Sequence, residues 1–449
     1  MATDQGTLAA DLAKIVGAEH VLGPRARAYR ADSTETMGLT GRPDAVALPG
    51  TAEEVAAVVG WCYERGVAIV PRGGGTGFSG GATPLEGGVV LSLERLGRVR
   101  AFDPLLWRME VEAGVTTRTV QRLARENGLF FPVDPGAAES SLIGGNVATN
   151  AGGPHCFKYG VMRAWISGLE VVLAPGELAR IGGATRKDVA GYDLVGLLTG
   201  SEGTLGVVTA VWLKLMPAPA VSLPVCAFLP DAQAGQEAVE RVLGSGVVPA
   251  AIEYLDSATL SAAGSTFPGR AADREGFLVI AEADGSEAEA AELADALGPG
   301  ALRPDARELW RWRESVSLAV TAQKGGKLSD DIGVPVDRLA EAVDGTIEIG
   351  ARHGLEACSW GHAGDANLHS TFLLTPGDAG ELRRAEAAAE ELFDLAIELG
   401  GTISGEHGLG WLKRDRLHKQ WSPAAVAAHR AIKDALDPKG LFNPGKKTP

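Results

Sequence analysis

The chain has 449 residues, 45% of them apolar and 22% charged, and carries a formal net charge of -15. That length and apolar share suffice for two or three domains with substantial cores, while the acidic balance argues against nucleic acid and anionic membrane surfaces and leaves small molecules as partners. Cys62, Cys156, Cys226 and Cys358 are scattered without a CxxC pair, and there is neither a signal-like N-terminus nor an apolar run long enough to span a bilayer; the expectation is a cytoplasmic protein with reduced thiols and no transmembrane segment.

In chain order, Thr7 to Val16 reads as a helix and residues 25–42 as an irregular basic segment. Thr51-Ala52-Glu53-Glu54 is a capping-box start for a helix through Tyr63, apolar at Val55, Val58, Val59 and Cys62. A short strand, Val67 to Val70, then runs into Pro71-Arg72-Gly73-Gly74-Gly75-Thr76-Gly77-Phe78-Ser79-Gly80-Gly81. So much glycine costs chain entropy and packs nothing, so it belongs where backbone N–H groups must crowd a ligand, and the stretch reads as a cradle for a pyrophosphate. Gly75, Gly77 and Gly80 match the dinucleotide-binding spacing G-x-G-x-x-G, but that motif must open a helix, and residues 81–88 are too short and broken for one before the next strand at Val89 to Leu93. No Gly-Lys-Ser/Thr follows, which excludes a P-loop.

Trp107 to Ala113 alternates as a strand, and Thr116 to Asn127, closed by Gly128, reads as a helix. A second glycine-rich region follows in Asp134-Pro135-Gly136 and Ile143-Gly144-Gly145-Asn146-Val147-Ala148-Thr149-Asn150-Ala151-Gly152-Gly153. Its Asn and Thr side chains suit either a ligand with several polar parts or a set of Asx turns. Ile166 to Leu173 and Leu178 to Ile181 form a hairpin, Val207 to Leu215 is a strand, and Pro217 and Pro219 close the first domain. Beyond residue 220, alanine-rich helices at 231–243, 287–297, 307–319 and 336–353 alternate with strands such as 277–283, which indicates an α+β domain with an antiparallel sheet.

Inside that domain, Gly361-His362-Ala363-Gly364-Asp365-Ala366-Asn367-Leu368-His369 lies between strand-like 356–360 and 370–374, so a loop between adjacent strands can bring both imidazoles to one point. Past a helix at 379–399 comes Gly405-Glu406-His407-Gly408. His362, His369 and Glu406 make a three-ligand N/N/O set, the pattern of a catalytic metal that keeps positions open for substrate. His407 suits either a ligand or a base beside the metal. Arg311, Arg313 and Ser317 share a helix, with Lys324 and Lys327 close behind, and as a set they suit a carboxylate substrate.

The stretch 71–81, the segment Ile143 to Gly153, Lys158-Tyr159-Gly160, Val189-Ala190-Gly191-Tyr192-Asp193-Leu194, Gly200-Ser201-Glu202-Gly203-Thr204-Leu205-Gly206, Gly361 to His369, Gly405 to Gly408 and Asn443-Pro444-Gly445-Lys446 together resemble the FAD-binding 2-hydroxyacid dehydrogenase family. That family includes D-lactate dehydrogenases, the FAD subunit of glycolate oxidase and D-2-hydroxyglutarate dehydrogenase, within the vanillyl-alcohol oxidase/p-cresol methylhydroxylase flavoproteins. The resemblance runs from about residue 40 to the C-terminus. It implies an α+β fold with a two-subdomain FAD-binding domain of the p-cresol methylhydroxylase (PCMH) type over 1–218, a ferredoxin-like antiparallel-sheet cap domain with the metal site over 219–424, and a segment 425–449 that returns to the FAD domain.

On the same resemblance, Pro71, Arg72, Gly73, Gly74, Gly75, Thr76, Gly77, Ser79 and Gly80 would wrap the FAD pyrophosphate. Pro135, Gly136, Ser140, Ser141, Gly144, Gly145, Asn146, Thr149, Asn150, Gly152, Gly153, Gly203, Gly206, Val208 and Asn443 would line the rest of the cofactor. His362, His369 and Glu406 would ligate a divalent metal, zinc first, with iron, manganese or cobalt also suited to the donor set. Asn367 would stand beside them and His407 would be the base; Arg313 and Lys327 would hold the substrate carboxylate, and Ser317 occupies a position that is often Thr. Phe78 stands where covalent flavoproteins often place a His, so FAD is expected to be non-covalent, with Cys156 a remote alternative anchor. Val161-Met162-Arg163-Ala164-Trp165 departs from the Thr-Arg-Asp run usual after Lys-Tyr-Gly, which leaves contacts there undefined.

The implied reaction is oxidation of a small D-2-hydroxy acid, D-lactate or glycolate, to the 2-oxo acid: the metal binds the α-hydroxyl, His407 takes its proton, and the Cα hydride passes to flavin N5. D-2-Hydroxyglutarate is the alternative substrate, and its second carboxylate would need cations such as Arg311, Lys324 or Arg163. A non-redox FAD-dependent ether-lipid synthase is a second alternative, but such enzymes carry consecutive histidines where this chain has Gly405 to Gly408. A flavin-bearing electron-transfer subunit without its own substrate is a third. The electron acceptor stays open among a quinone, an electron-transfer flavoprotein and a cytochrome, as do a homodimeric state and a peripheral position at the inner membrane face.

Overall fold

In the computed structural model of the chain, which describes residues 5–268 and 276–448, the contacts fall into two units. The first comprises Met1–Gly152, Val161–Ala218 and His407–Pro449, and the second Gly153–Gly160 and Pro219–Glu406.

The first unit opens with α1 (Gln5–Val16), β1 (Val21–Leu22) and β2 (Ala45–Ala47). Helix α2 (Ala52–Arg65) begins as its sequence predicts, with Thr51 as N-cap accepting from the Glu54 N–H at 3.1 Å. The Glu54 carboxylate reaches back one residue further than in a capping box, to the Gly50 N–H at 2.7 Å. Val55, Val58, Val59 and Cys62 are fully buried in the core beneath the first sheet. Strands β3 (Ile69–Arg72) and β4 (Val89–Ser92) flank the glycine stretch, and no helix lies between them. They are parallel neighbours in a sheet of order β1-β2-β4-β3, so coil stands where a dinucleotide fold would put its helix. The chain's end returns to this edge, where Ile69 bridges Phe442.

The second sheet begins with β5 (Val99–Asp103) and β6 (Arg108–Glu112), followed by α3 (Thr117–Glu126) behind its N-cap Thr116 and by β7 (Leu129–Phe130). The second glycine-rich region contains a helix, α4 (Ile143–Thr149), ended by Asn150 at φ +52°. Ile143 and Val147, one turn apart and both fully buried, hold it against the core, and the intervening Gly144 and Gly145 hide so short a periodicity. After α5 (Cys156–Tyr159), β8 (Ile166–Leu173) and β9 (Glu177–Gly182) form the expected hairpin. Then come α6 (Leu194–Leu198), β10 (Val207–Lys214) and β11 (Met216–Pro217), which pairs with β7. The five-stranded sheet is antiparallel throughout, in the order β5-β6-β10-β8-β9.

The second unit contains β12 (Leu223–Leu229), α7 (Ala232–Gly244), β13 (Ala251–Leu255), α8 (Ser257–Ala263), β14 (Phe277–Ala283), α9 (Glu287–Leu297) and α10 (Ala306–Lys324). It continues through β15 (Gly326–Gly333), α11 (Leu339–Arg352), β16 (Ala357–His362), β17 (Asn367–Leu374) and α12 (Ala379–Glu398). Its six strands form one antiparallel sheet, in the order β12-β14-β13-β16-β17-β15, the α+β plan that the alternation of elements predicts.

The chain then rejoins the first unit, which includes α13 (Leu417–Gln420) and α14 (Pro423–Leu436). Sequence placed this return at 425, but it occurs at His407. The physical reason is hydrogen bonding without regular structure: the Leu409 and Gly410 N–H groups donate to Glu202 at 3.0 and 2.6 Å, and that of Trp411 to the Ser79 carbonyl at 2.7 Å. Residues 153–160 likewise count with the second unit because His155 bonds Glu282, and Lys158 and Tyr159 bond Asp284, both near the end of β14. No helix among the described residues is long and apolar enough to cross a membrane.

Candidate active site

Strand register assembles the histidine site. Glu253 of β13 stands opposite His362 of β16, which stands opposite Asn367 of β17; in the next row Trp360 faces His369, and His369 faces Asp331 of β15. Directly opposed side chains leave a sheet on the same face, as do residues two apart, so these six project from one side. The turn between the histidine strands is only residues 363–366. His369 is therefore a strand residue, whereas sequence had placed it in a longer loop; Gly361 and Gly364 break the alternation that would have revealed this.

Glu406 arrives along the free edge of β15. Gly333 and Thr402 exchange backbone hydrogen bonds at 3.1 and 2.8 Å, the Ser404 hydroxyl donates to Asp331 at 3.2 Å, and the Glu406 N–H donates to Asp331 at 2.5 Å. A Cβ at Gly405 would lie 2.0 Å from the Asn367 Nδ2, so any other residue here would have to displace the Asn367 side chain. These constraints put Glu406 Oε1 3.6 Å from His362 Nε2 and 3.5 Å from His369 Nε2. Tetrahedral ligand bonds of about 2.1 Å space their donor atoms roughly 3.4 Å apart, which is close to the spacing of Glu406 from both imidazoles, and all three ligand atoms lie within 4.8 Å of one another, a group that could hold a cation such as zinc.

Electrostatics favour positive charge at the same point. Burial alone would lower the pKa of His362, but the Glu253 and Glu406 carboxylates outweigh it and push it up to about 10. Burial alone would likewise raise the Glu253 carboxyl, yet His362 and Arg313 hold it below its ordinary value. Glu253 Oε1 accepts from His362 Nδ1 at 2.6 Å, so Nε2 is the nitrogen that a cation at this point would meet. Asn367 donates through Nδ2 to the Ile332 carbonyl at 3.0 Å, while its buried Oδ1 accepts from no group among the described residues.

The cationic residues divide. Arg313 forms an ion pair through Nη2 with Glu253 at 2.6 Å, and its buried Nε has no hydrogen-bond partner among the described residues. Lys327 donates to the Ser317 hydroxyl at 2.6 Å and lies 4.9 Å over the Trp360 ring, beside the histidine strands. Burial pushes the Lys327 pKa down to about 8. Lys324 instead pairs with Glu381 at 2.9 Å, Arg163 with Asp193 at 3.0 Å, and Arg311 is exposed. His407 follows Glu406 directly and counts with the first unit, where its ring centroid is 4.9 Å from that of Phe78.

Within the first unit the two glycine-rich regions meet. A Cβ on Gly74 would lie 2.1 Å from the Ser140 carbonyl oxygen, so the stretch 71–81 presses backbone to backbone against the segment before α4. Asn443 Nδ2 donates to the carbonyls of Gly81 at 3.0 Å and Glu202 at 2.7 Å, joining the C-terminal segment to the same place. Polar side chains expected to face a ligand are engaged internally: Arg72 donates to the carbonyls of Ala28 and Ala31, Ser141 and Asn146 bond Thr117, Thr149 bonds the Gly145 carbonyl, and Asn150 accepts from the Arg163 N–H. A backbone cradle braced by its own side chains fits a diphosphate.

Sequence reasoning missed Glu253, Asp331 and Glu202. An acid within the wholly buried strand Ala251-Ile252-Glu253-Tyr254-Leu255 is itself a signal, since an unpaired charge would not be kept there.

The profile described as "FAD binding domain" matches residues 43–182, and that described as "FAD linked oxidases, C-terminal domain" matches residues 218–447. The chain belongs to the FAD-linked oxidases. Among curated relatives of this FAD-linked oxidase, the glycolate oxidase subunit GlcD of Bacillus subtilis (strain 168) is 37% identical over 90% of this chain and 88% of its own. The D-2-hydroxyglutarate dehydrogenase of Xanthomonas citri pv. viticola is 36% identical over 92% and 90%. The solved structure of p-cresol methylhydroxylase with substrate bound covers 98% of this chain and 96% of its own at TM-score 0.79 and 18% identity, a likeness of fold and not of activity. The FAD-linked oxidase thus has the PCMH-type fold that its motifs imply.

Proposed function

We propose that this FAD-linked oxidase dehydrogenates a small D-2-hydroxy acid of the glycolate or D-lactate type to the 2-oxo acid, using FAD held non-covalently by the first unit and a divalent cation, zinc first, held by His362, His369 and Glu406. The observation that carries the reading is the 3.5 and 3.6 Å spacing of Glu406 Oε1 from the two imidazoles, on the sheet face that also carries Lys327 and the Arg313–Glu253 pair. Relatives named for glycolate and D-2-hydroxyglutarate support the substrate class.

The cation supplies Lewis acidity toward an α-hydroxyl, and the flavin supplies a hydride acceptor. The chain's residues do the rest. Arg313 and Lys327 bind the substrate carboxylate, Arg313 through its unpartnered Nε edge. His407 removes the hydroxyl proton, and Asn367 stands beside the ligands without taking that proton. Monocarboxylates are favoured over D-2-hydroxyglutarate because Lys324 and Arg163 are already neutralised by Glu381 and Asp193. Glu406 and His407 between glycines, in place of consecutive histidines, disfavour an ether-lipid synthase.

The test is anaerobic mixing of the purified flavoprotein with glycolate, D- and L-lactate and D-2-hydroxyglutarate while flavin absorbance is followed, with and without a chelator. Bleaching by glycolate or D-lactate, abolished by metal removal and restored by zinc, is expected. His407→Ala should keep its flavin and lose reduction, and His369→Ala should lose metal and reduction together. Bleaching by none of the acids refutes the dehydrogenase reading, and bleaching indifferent to complete metal removal refutes the metal's role. Flavin that stays attached after acid denaturation refutes non-covalent binding.

A further inference from the structure

Glu253 is fully buried in β13, yet both of its carboxylate oxygens are committed to different parts of the site. Oε1 accepts from His362 Nδ1 at 2.6 Å, and Oε2 forms an ion pair with Arg313, 2.6 Å from Nη2, while making no hydrogen bond among the described residues. We propose that Glu253 is a positioning residue shared by the metal ligand and the substrate clamp, setting the metal-binding nitrogen of His362 and the guanidinium of Arg313 at a fixed separation; this rests on the function proposed above.

The chemistry follows from what a carboxylate can do. It only accepts, so His362 keeps a proton on Nδ1, and a cation at the site would be met by Nε2. Holding Arg313 by one terminal nitrogen leaves its buried Nε as a donor without a partner among the described residues. A 2-hydroxy acid presents its hydroxyl and carboxylate on adjacent carbons, so cation and guanidinium must be held at one distance to engage both at once. One rigid group bonded to both sides achieves this without a loop. Gln cannot replace it, since a single carbonyl oxygen serves one donor and the amide faces the other; Asp is one methylene too short to reach both.

Zinc affinity is measured on the flavin-loaded protein by competition with a chromophoric chelator, and oxalate affinity by flavin absorbance at saturating zinc. Glu253→Gln should weaken zinc by about 10- to 100-fold, the usual loss when a second ligand-orienting group is removed. The same variant should weaken oxalate by about tenfold even with zinc saturating, the scale of one lost charge-assisted hydrogen bond. Arg313→Met should weaken oxalate alone. Should Glu253→Gln fail to retain flavin and a cooperative melt, Glu253→Asp, which keeps the charge, carries the test with the same paired loss. An unchanged zinc affinity, or an unchanged oxalate affinity, overturns the shared role. Wild-type protein that takes up no zinc overturns the proposed function and this inference with it, whereas zinc binding by the wild type beside an unaltered Glu253 variant overturns this inference alone.

Discussion

The backbone N–H of Glu406 donates to the carboxylate of Asp331 at 2.5 Å, and Asp331 is the cross-strand neighbour of His369. One fully buried acid therefore sets where two of the three candidate metal ligands meet. Asp331→Asn places an amide N–H₂ where an acceptor is needed, and should weaken zinc binding by about tenfold or more while flavin content stays at the wild-type level. Chelator competition and the ratio of flavin to protein absorbance check the two halves. A variant with wild-type zinc affinity would show that Asp331 is only structural.

Lys327 should impose a pH limb on anion binding. Burial lowers its pKa to about 8, so it is an ammonium below that pH and an amine above it. A bound carboxylate favours the ammonium, so oxalate affinity should be flat below pH 8 and fall as pH rises beyond it, and Lys327→Met should bind weakly with no limb there. Stability moves the other way. An unfolded lysine titrates at about 10.4, so between the two pKa values the unfolded chain binds more protons, and the penalty for burying this ammonium is relieved as pH rises through that window. Isothermal titration from pH 6.5 to 9.5, paired with thermal melts, separates the two effects.

Gly74→Ala tests the cradle. Its Cβ would lie 2.1 Å from the Ser140 carbonyl oxygen, so the backbone must shift at a cost of about 1–3 kcal/mol. The purified variant should lose most of its flavin while keeping its far-ultraviolet circular dichroism. Full flavin occupancy would mean that this contact does not shape the cofactor site.

Glu202 should matter for stability. Its buried carboxylate accepts from the Leu409 and Gly410 N–H groups and pairs with Lys447 at 2.9 Å, so Glu202→Gln exposes donors to an amide and should destabilise the first unit by about 1–3 kcal/mol. A lowered melting temperature with faster proteolysis between residues 404 and 416 is expected; an unchanged melt would refute this anchoring.

What was legible in the sequence was local. The N-cap at Thr51, the strand–glycine–strand run that rules out a dinucleotide helix, the antiparallel plan of the second unit and the approach of His362 and His369 between adjacent strands all depend on neighbours a few residues apart. What only the tertiary structure decided is which carboxylates hold these groups in place. Glu253 lies 109 residues from His362, Asp331 lies 75 from Glu406, and Glu202 lies 207 from Leu409. A strand's side chains alternate with period two whatever its partner, so sequence says which residues share a face, but strand order and register alone determine which of them meet across it.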